Sequence, residues 1–162
     1  MVLGYFVTFT CYGTWLHGDD RGSWRRNAKS LREYFVPPDP KLVESMRHRM
    51  KHPATSLDGP MRKCVREGIE AYCNFKSWEL HALAVRTNHV HVVLTAPLNT
   101  IQQVMVAAKA RATFLLREAG LTSPDQPMWT EGASKIVLDT NASFDGAVHY
   151  VLHEQGPELP DD

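Results

Sequence analysis

The residues best suited to chemistry are His89 and His91, set two apart at the head of an apolar run, HVHVVL. Side chains alternate along a strand, so both imidazoles would leave one face, about 7 Å apart, with Val90 on the other. Two imidazoles so placed can converge on one divalent ion if a third ligand arrives from elsewhere. The plain alternative is a pair lining a half-buried face, but apolar side chains would pack there at lower cost. Two other histidine chemistries fail on spacing. A histidine-triad nucleotide hydrolase needs a third histidine where Val93 stands. A two-histidine phosphoesterase needs Ser or Thr two residues after each histidine, and those positions hold His91 and Val93.

Tyr150 is the second chemically suggestive residue. Between Asn141 and Glu154, Phe144, Ala147, Val148, Val151 and Leu152 recur at spacings that predict a core-facing helical stripe. Tyr150 lies off that stripe. Gly146, His153 and Glu154, at −4, +3 and +4, share its face at about 100° per residue. A surface tyrosine among solvated polar groups is the plain alternative. Among the other tyrosines, Tyr5 and Tyr72 belong to apolar segments. Tyr12 and Tyr34 fall in a long polar stretch without the rigid support a reacting group needs.

The elements that must position these residues follow from periodicity. GYFVTFT, Gly4 to Thr10, is β-branched and aromatic and predicts a buried first strand. Residues 11–40 form a long polar connection rich in Gly, Arg and Asp. Helices are predicted over 41–51 and 59–75, the second with Met61, Val65, Ile69 and Tyr72 on one face. Strands at 78–86 and 89–95 are joined by a tight turn at Thr87-Asn88. A helix over 100–119 stops at Gly120, a short strand is expected at 134–138, and the last helix covers 141–154. The order is the β-α-β-β-α-β signature of an α+β, ferredoxin-like sandwich, an antiparallel sheet with its helices on one face. One domain is expected over 1–162, with a basic loop and extra helix at about 11–58 and an acidic tail at 156–162.

Composition narrows the partners. The 162 residues are 43% hydrophobic and 22% charged, enough for one core. No stretch approaches the ~18 apolar residues of a membrane span, and Met1 to Tyr12 has no secretory pattern. Three cysteines without CxxC spacing fit neither a disulfide framework nor a zinc knuckle, so a cytoplasmic setting is expected. Net charge is zero, but residues 21–63 hold 11 Lys/Arg against 4 Asp/Glu and residues 118–162 hold 1 against 9. Backbone phosphate responds to such local basic surface rather than to whole-chain charge. Trp15, His17, Arg21 and Trp24 mix aromatic and basic groups, a composition suited to stacking unpaired bases.

Four segments together, FVTFTCYGTWLHGDDRGS, VRTNHVHVVL, WTEGASKIVL and YVLHEQG, resemble the HUH single-tyrosine transposases. The nearest groups are the insertion sequence 200-like transposases and the REP-associated tyrosine transposases, with likeness running from Gly4 to Gly156. The resemblance implies metal-dependent nicking of single-stranded DNA and strand transfer through a 5′-phosphotyrosine, with Tyr150 as nucleophile. It implies Mg²⁺ or Mn²⁺ held by His89, His91 and a polar residue about one turn past the tyrosine. Glu154 stands at +4, where the family often has glutamine, and Gln155 at +5. Helical geometry favours Glu154 and residue identity Gln155; Gln155 ranks slightly ahead, the choice between them stays open, and His153 is third. Arg21, Arg25, Arg26, Arg86, Asn88, Lys109 and Arg111 are the expected DNA contacts. Expected partners are single-stranded DNA and hairpins of palindromic repeats, with a nucleoid-associated homodimer as the assembly. The alternative function is hairpin binding without cleavage; a metal hydrolase would not need the tyrosine.

Overall fold

The fold is taken from a computed structural model that describes residues 1–26, 30 and 32–162. Its centre is a four-stranded antiparallel sheet of β1 (Gly4–Thr10), β4 (Glu79–Val85), β5 (His89–Thr95) and β6 (Ser134–Leu138), in the order β4-β5-β1-β6. Two further strands, β2 (Ser23–Arg26) and β3 (Glu33–Val36), pair only with each other among the described residues. The helices are α1 (Pro40–Arg49), α2 (Gly59–Lys76), α3 (Ile101–Glu118) and α4 (Asn141–His153). The sheet order is that of the expected ferredoxin-like sandwich. None of these helices is long and apolar enough to cross a membrane.

Alternation along β1 and β5 divides the sheet into two unlike faces. Val7 and Phe9 of β1 and Val90, Val92 and Leu94 of β5 are buried under α2 and α3, which pack on each other there. Met61, Val65 and Ile69 of α2 point into this core as their spacing predicted, and Tyr72 packs at its margin. Each fully buried Val or Leu contributes about 1.5–3 kcal/mol, so this face holds most of the fold together. Side-chain caps begin the helices: Asp58 accepts from Met61 N at α2, and Thr100 and Gln103 cap α3 reciprocally.

The other face is only half covered. Phe6, Ala82, Val93 and Leu138 meet Phe144, Ala147, Val148 and Val151 of α4 in a small second core. The two helices of the β-α-β-β-α-β core therefore share one face, as expected, while the last helix lies on the opposite one. The reason is visible in β5: its second face is apolar only at Val93, and α4 has just four apolar side chains to bring to it. Leu152, expected on that stripe, is exposed instead, because at 100° per residue it lies beyond the edge set by Val148 and Val151. The segment 11–40, expected as a loop, contains the β2–β3 ribbon.

Past α4 the chain turns at Gly156, whose φ of +78° lies in the left-handed region where glycine is favoured. Residues 157–161 then run back over α2. Arg86 Nη1 donates to Pro157 O, buried Arg62 donates to Leu57 O and Pro160 O, and Arg66 pairs with Asp161.

Candidate active site

The site forms where α4 ends over the uncovered half of the sheet. The β1–β5 register sets Thr8 opposite His91 and Thr10 opposite His89. His89, His91 and Thr8 thus share the α4 face while Val90 turns into the larger core, as the alternation required. The imidazole centroids are 4.7 Å apart and steeply inclined. Each ring is held by its Nδ1. That of His89 lies 2.8 Å from Asn88 Oδ1, and that of His91 2.7 Å from Thr8 Oγ1. A carboxamide oxygen only accepts, so His89 Nδ1 donates and its Nε2 keeps the lone pair a metal would use. Partners of this kind fix the orientation of a ligating imidazole.

Electrostatics favour the neutral rings. Burial pushes His89 below the usual histidine value, against a hydrogen bond to the Gln155 side chain; the charges of Arg86 and Arg21 push it further down. His91 is driven to about 4 by burial and by the charge of His89, again opposed by Gln155. Neutral imidazole is the form that ligates.

The candidates for third ligand separate in space. Helix α4 ends at His153, with Glu154 as its cap at φ −112°, ψ 15°. The next side chain therefore no longer follows the helical wheel. Gln155 swings under the helix end, its Nε2 3.3 Å from Tyr150 O, and its amide reaches both imidazoles. Glu154 instead lies 4.0 Å from His149, whose ring is 4.9 Å from that of His153 and tilted against it. Among the described residues no group of three His, Cys, Asp or Glu converges; of the three candidates, it is the Gln155 amide that acts on both imidazoles. Two imidazole nitrogens and an amide oxygen, open on the Tyr150 side, fit a divalent ion that retains water or phosphate oxygens.

Tyr150 stands beside this pair. Its ring is 5.6 Å from that of His91 and 6.0 Å from that of Phe6, and the residue is 40% exposed. Phe6 also flanks His91 at 5.8 Å, so the three rings form a nearly equilateral cluster. Neither Phe6 nor Thr8 was singled out from the sequence. The usable signal was the alternation of GYFVTFT, which puts Phe6, Thr8 and Thr10 on one face.

The expected DNA contacts scatter. Arg86 and Asn88 flank the histidines, Asn88 holding His89 and Arg86 bound to Pro157 O. Arg21 is clamped by Asp19 through two bonds of 2.7 and 2.8 Å and lies 4.0 Å over the Trp15 ring. The same guanidinium holds the Asp19 carboxyl down at about 2. Arg25 is exposed on β2; the Arg26 side chain lies outside the described part of the structure. Lys109 has two of its donors committed to Thr130 O and Gly132 O, where it fastens α3 to the approach of β6. Arg111 lies over the Phe114 ring on α3.

The family model "Transposase IS200 like" matches residues 46–152, 107 of the 162, a span that holds His89, His91 and Tyr150 but stops short of Gln155. No curated protein matches the sequence. A crystal structure of a candidate transposase from Deinococcus radiodurans R1 aligns over 96% of this chain and 92% of its own, at 12% identity and TM-score 0.48. A REP-associated tyrosine transposase bound to a REP hairpin aligns over 93% of this chain and 66% of its own, at 14% identity and TM-score 0.49.

Proposed function

The chain belongs to the IS200-like transposase family, and on that premise we propose that it nicks and rejoins single-stranded DNA through Tyr150. The observation that carries this reading is the convergence of Tyr150, His89, His91 and Gln155 at one end of α4. Hairpin binding without cleavage requires no such convergence. The phenol is open to solvent on one side and backed by Phe6 and His91 on the other, so a strand can reach it without moving the sheet.

In the step proposed, Tyr150 Oη forms a bond to the scissile phosphorus as the P–O3′ bond breaks. The phenolic proton passes to solvent and the leaving oxygen ends as a 3′-hydroxyl. The 5′-phosphotyrosine conserves the bond energy, so the 3′-hydroxyl of another strand can reverse the step without a nucleotide cofactor. His89, His91 and Gln155 would hold a divalent ion, Mn²⁺ or Mg²⁺, which when bound polarises the phosphate. Asn88 and Thr8 keep the two imidazoles aimed, and burial keeps them unprotonated. Hairpins of palindromic repeats are the partner proposed for the basic surface, and a homodimer is the assembly proposed for the nucleoid setting.

Trapping a covalent protein–DNA adduct tests the reading. With a labelled hairpin carrying single-stranded flanks and Mn²⁺, the parent should form an adduct and Tyr150→Phe none, with the same melting temperature. An adduct from the Phe variant, or a phosphotyrosine peptide at another tyrosine, refutes it.

A further inference from the structure

The β2–β3 ribbon has no part in the site just described, yet it displays what folding ordinarily buries. Trp24 is 64% exposed and Phe35 50%, and Tyr34 is exposed as well. Their arrangement is ordered. In the antiparallel register Trp24 faces Phe35 with ring centroids 5.5 Å apart, and Arg25 faces Tyr34 on the other side of the ribbon. Residues 21–36 carry five basic side chains, Arg21, Arg25, Arg26, Lys29 and Arg32, against one acid, Glu33. Aromatic surface and positive charge thus occur together on a ribbon that belongs to neither apolar core.

The base of the ribbon is firmly built. Trp15 Nε1 donates to Gly22 O at 2.8 Å, and His17 Nδ1 lies 2.8 Å from Ser23 Oγ. The Phe35 ring lies on Gly22, at φ +71°, where any Cβ would come within 2.4 Å of it. Arg21, locked between Asp19 and Trp15 at the same base, is near enough for its charge to act on His89. The ribbon's base follows in the chain from the end of β1, where Thr10 lies opposite His89 and Cys11 N donates to Asn88 O.

We propose that this ribbon is a separate DNA-binding surface, on which unpaired bases adjoining the scissile phosphate stack against Trp24 and Phe35 while the positive charge of Arg25 and Arg32, on the same ribbon, attracts the phosphates of the strand. The inference rests on reading the site as a single-strand nicking centre. Aromatic faces supply sequence-tolerant stacking and arginines the backbone contact, the combination that binds unpaired strands. A second copy of the chain fits less well, since a two-fold contact would set the ribbon's arginines against those of its mate.

The test is equilibrium binding of fluorescein-labelled oligothymidylate to the full chain carrying Tyr150→Phe, so that no cleavage intervenes. Trp24→Leu keeps an apolar partner for Phe35 but removes the π face; it should weaken binding about five- to a hundredfold. Trp24→Phe should retain most of the affinity. Arg25→Ala, on the opposite side of the ribbon and harmless to the aromatic pair, should make the dependence on salt shallower by about 0.7 in log–log slope. Parental affinity in Trp24→Leu with an unchanged salt slope in Arg25→Ala overturns the proposal. So does a drop in molecular mass by light scattering without loss of affinity, which would make the ribbon a contact between copies. Failure of the nicking reading is recorded separately, as absence of an adduct from the chain with Tyr150 intact, and leaves this binding measurement standing.

Discussion

Acidifying the metal-free protein should destabilise it well before its carboxylates titrate, and His91 sets the size of the effect. Its imidazole is buried and its pKa lowered from 6.5 to about 4. In the unfolded chain it returns to the ordinary value. The folded state is therefore neutral where the unfolded state binds a proton. The stabilisation is fully present above pH 6.5 and is lost as pH falls toward 4. At about pH 5 the unfolded imidazole is nearly all protonated and the folded one hardly at all, which amounts to a loss of about 2 kcal/mol. For a domain of this size that lowers Tm by about 4–8 °C. His89, shifted in the same direction by burial, adds to the fall. Asp19 does not interfere, because its depressed carboxyl titrates between 3.8 and about 2, below this window. Thermal unfolding followed by circular dichroism in EDTA measures the effect, with His91→Gln as the comparison. The variant should show the shallower pH dependence. A parent with constant Tm between neutrality and about pH 5, or a variant as pH-sensitive as the parent, refutes the account of this imidazole.

Four other outcomes are expected. His89→Ala and His91→Ala should each abolish Mn²⁺-dependent cleavage and the rise of Tm on adding Mn²⁺, while the variants still melt cooperatively; cleavage of a labelled strand at the parental rate would contradict the ligand assignment. Lys109→Met should cost about 2 kcal/mol in denaturant unfolding, since it removes charged donors from Thr130 O and Gly132 O. Val151→Ala should cost about 2 kcal/mol, and Leu152→Ser less than about 0.5 kcal/mol, as buried and exposed neighbours on α4. Affinity for a hairpin with single-stranded flanks should exceed that for blunt duplex and fall steeply with salt; equal affinity for both would count against the basic segment as the reader.

Long periodic elements were the legible part of this chain. Met61, Val65 and Ile69 on α2, the alternation of β1 and the apolar run of β5 each declared their face, because a two-sided core demands repetition. The shared face of His89 and His91 followed from the same alternation. The ribbon was not legible: β2 and β3 have four residues each, carry Trp24 and Arg25 outward, and lack the buried face that alternation reports. The position of α4 across the sheet was hidden for a different reason, since a stripe shows that a helix packs but not on which face. The third donor fell between these cases. Projection along the wheel pointed to Glu154, but the helix stops at His153, and past a cap the 3.6-residue period no longer directs side chains. Thr8 and Phe6 gained meaning only from the register that sets β1 against β5.

The course of residues 157–161 has a consequence for ion capture. Gln155 is suspended between two fixed points, Tyr150 O on one side and the Arg86 clasp of Pro157 on the other, with Arg62 and Arg66 holding the strand farther along. A donor on a free tail would have to surrender its conformational freedom each time a cation arrived. If Gln155 ligates as proposed, that ordering is completed when the chain folds, and ion binding would not carry its cost. Substitutions in the clasp, remote from every donor atom, would then register as a change in the entropy of ion binding, with its enthalpy left in place.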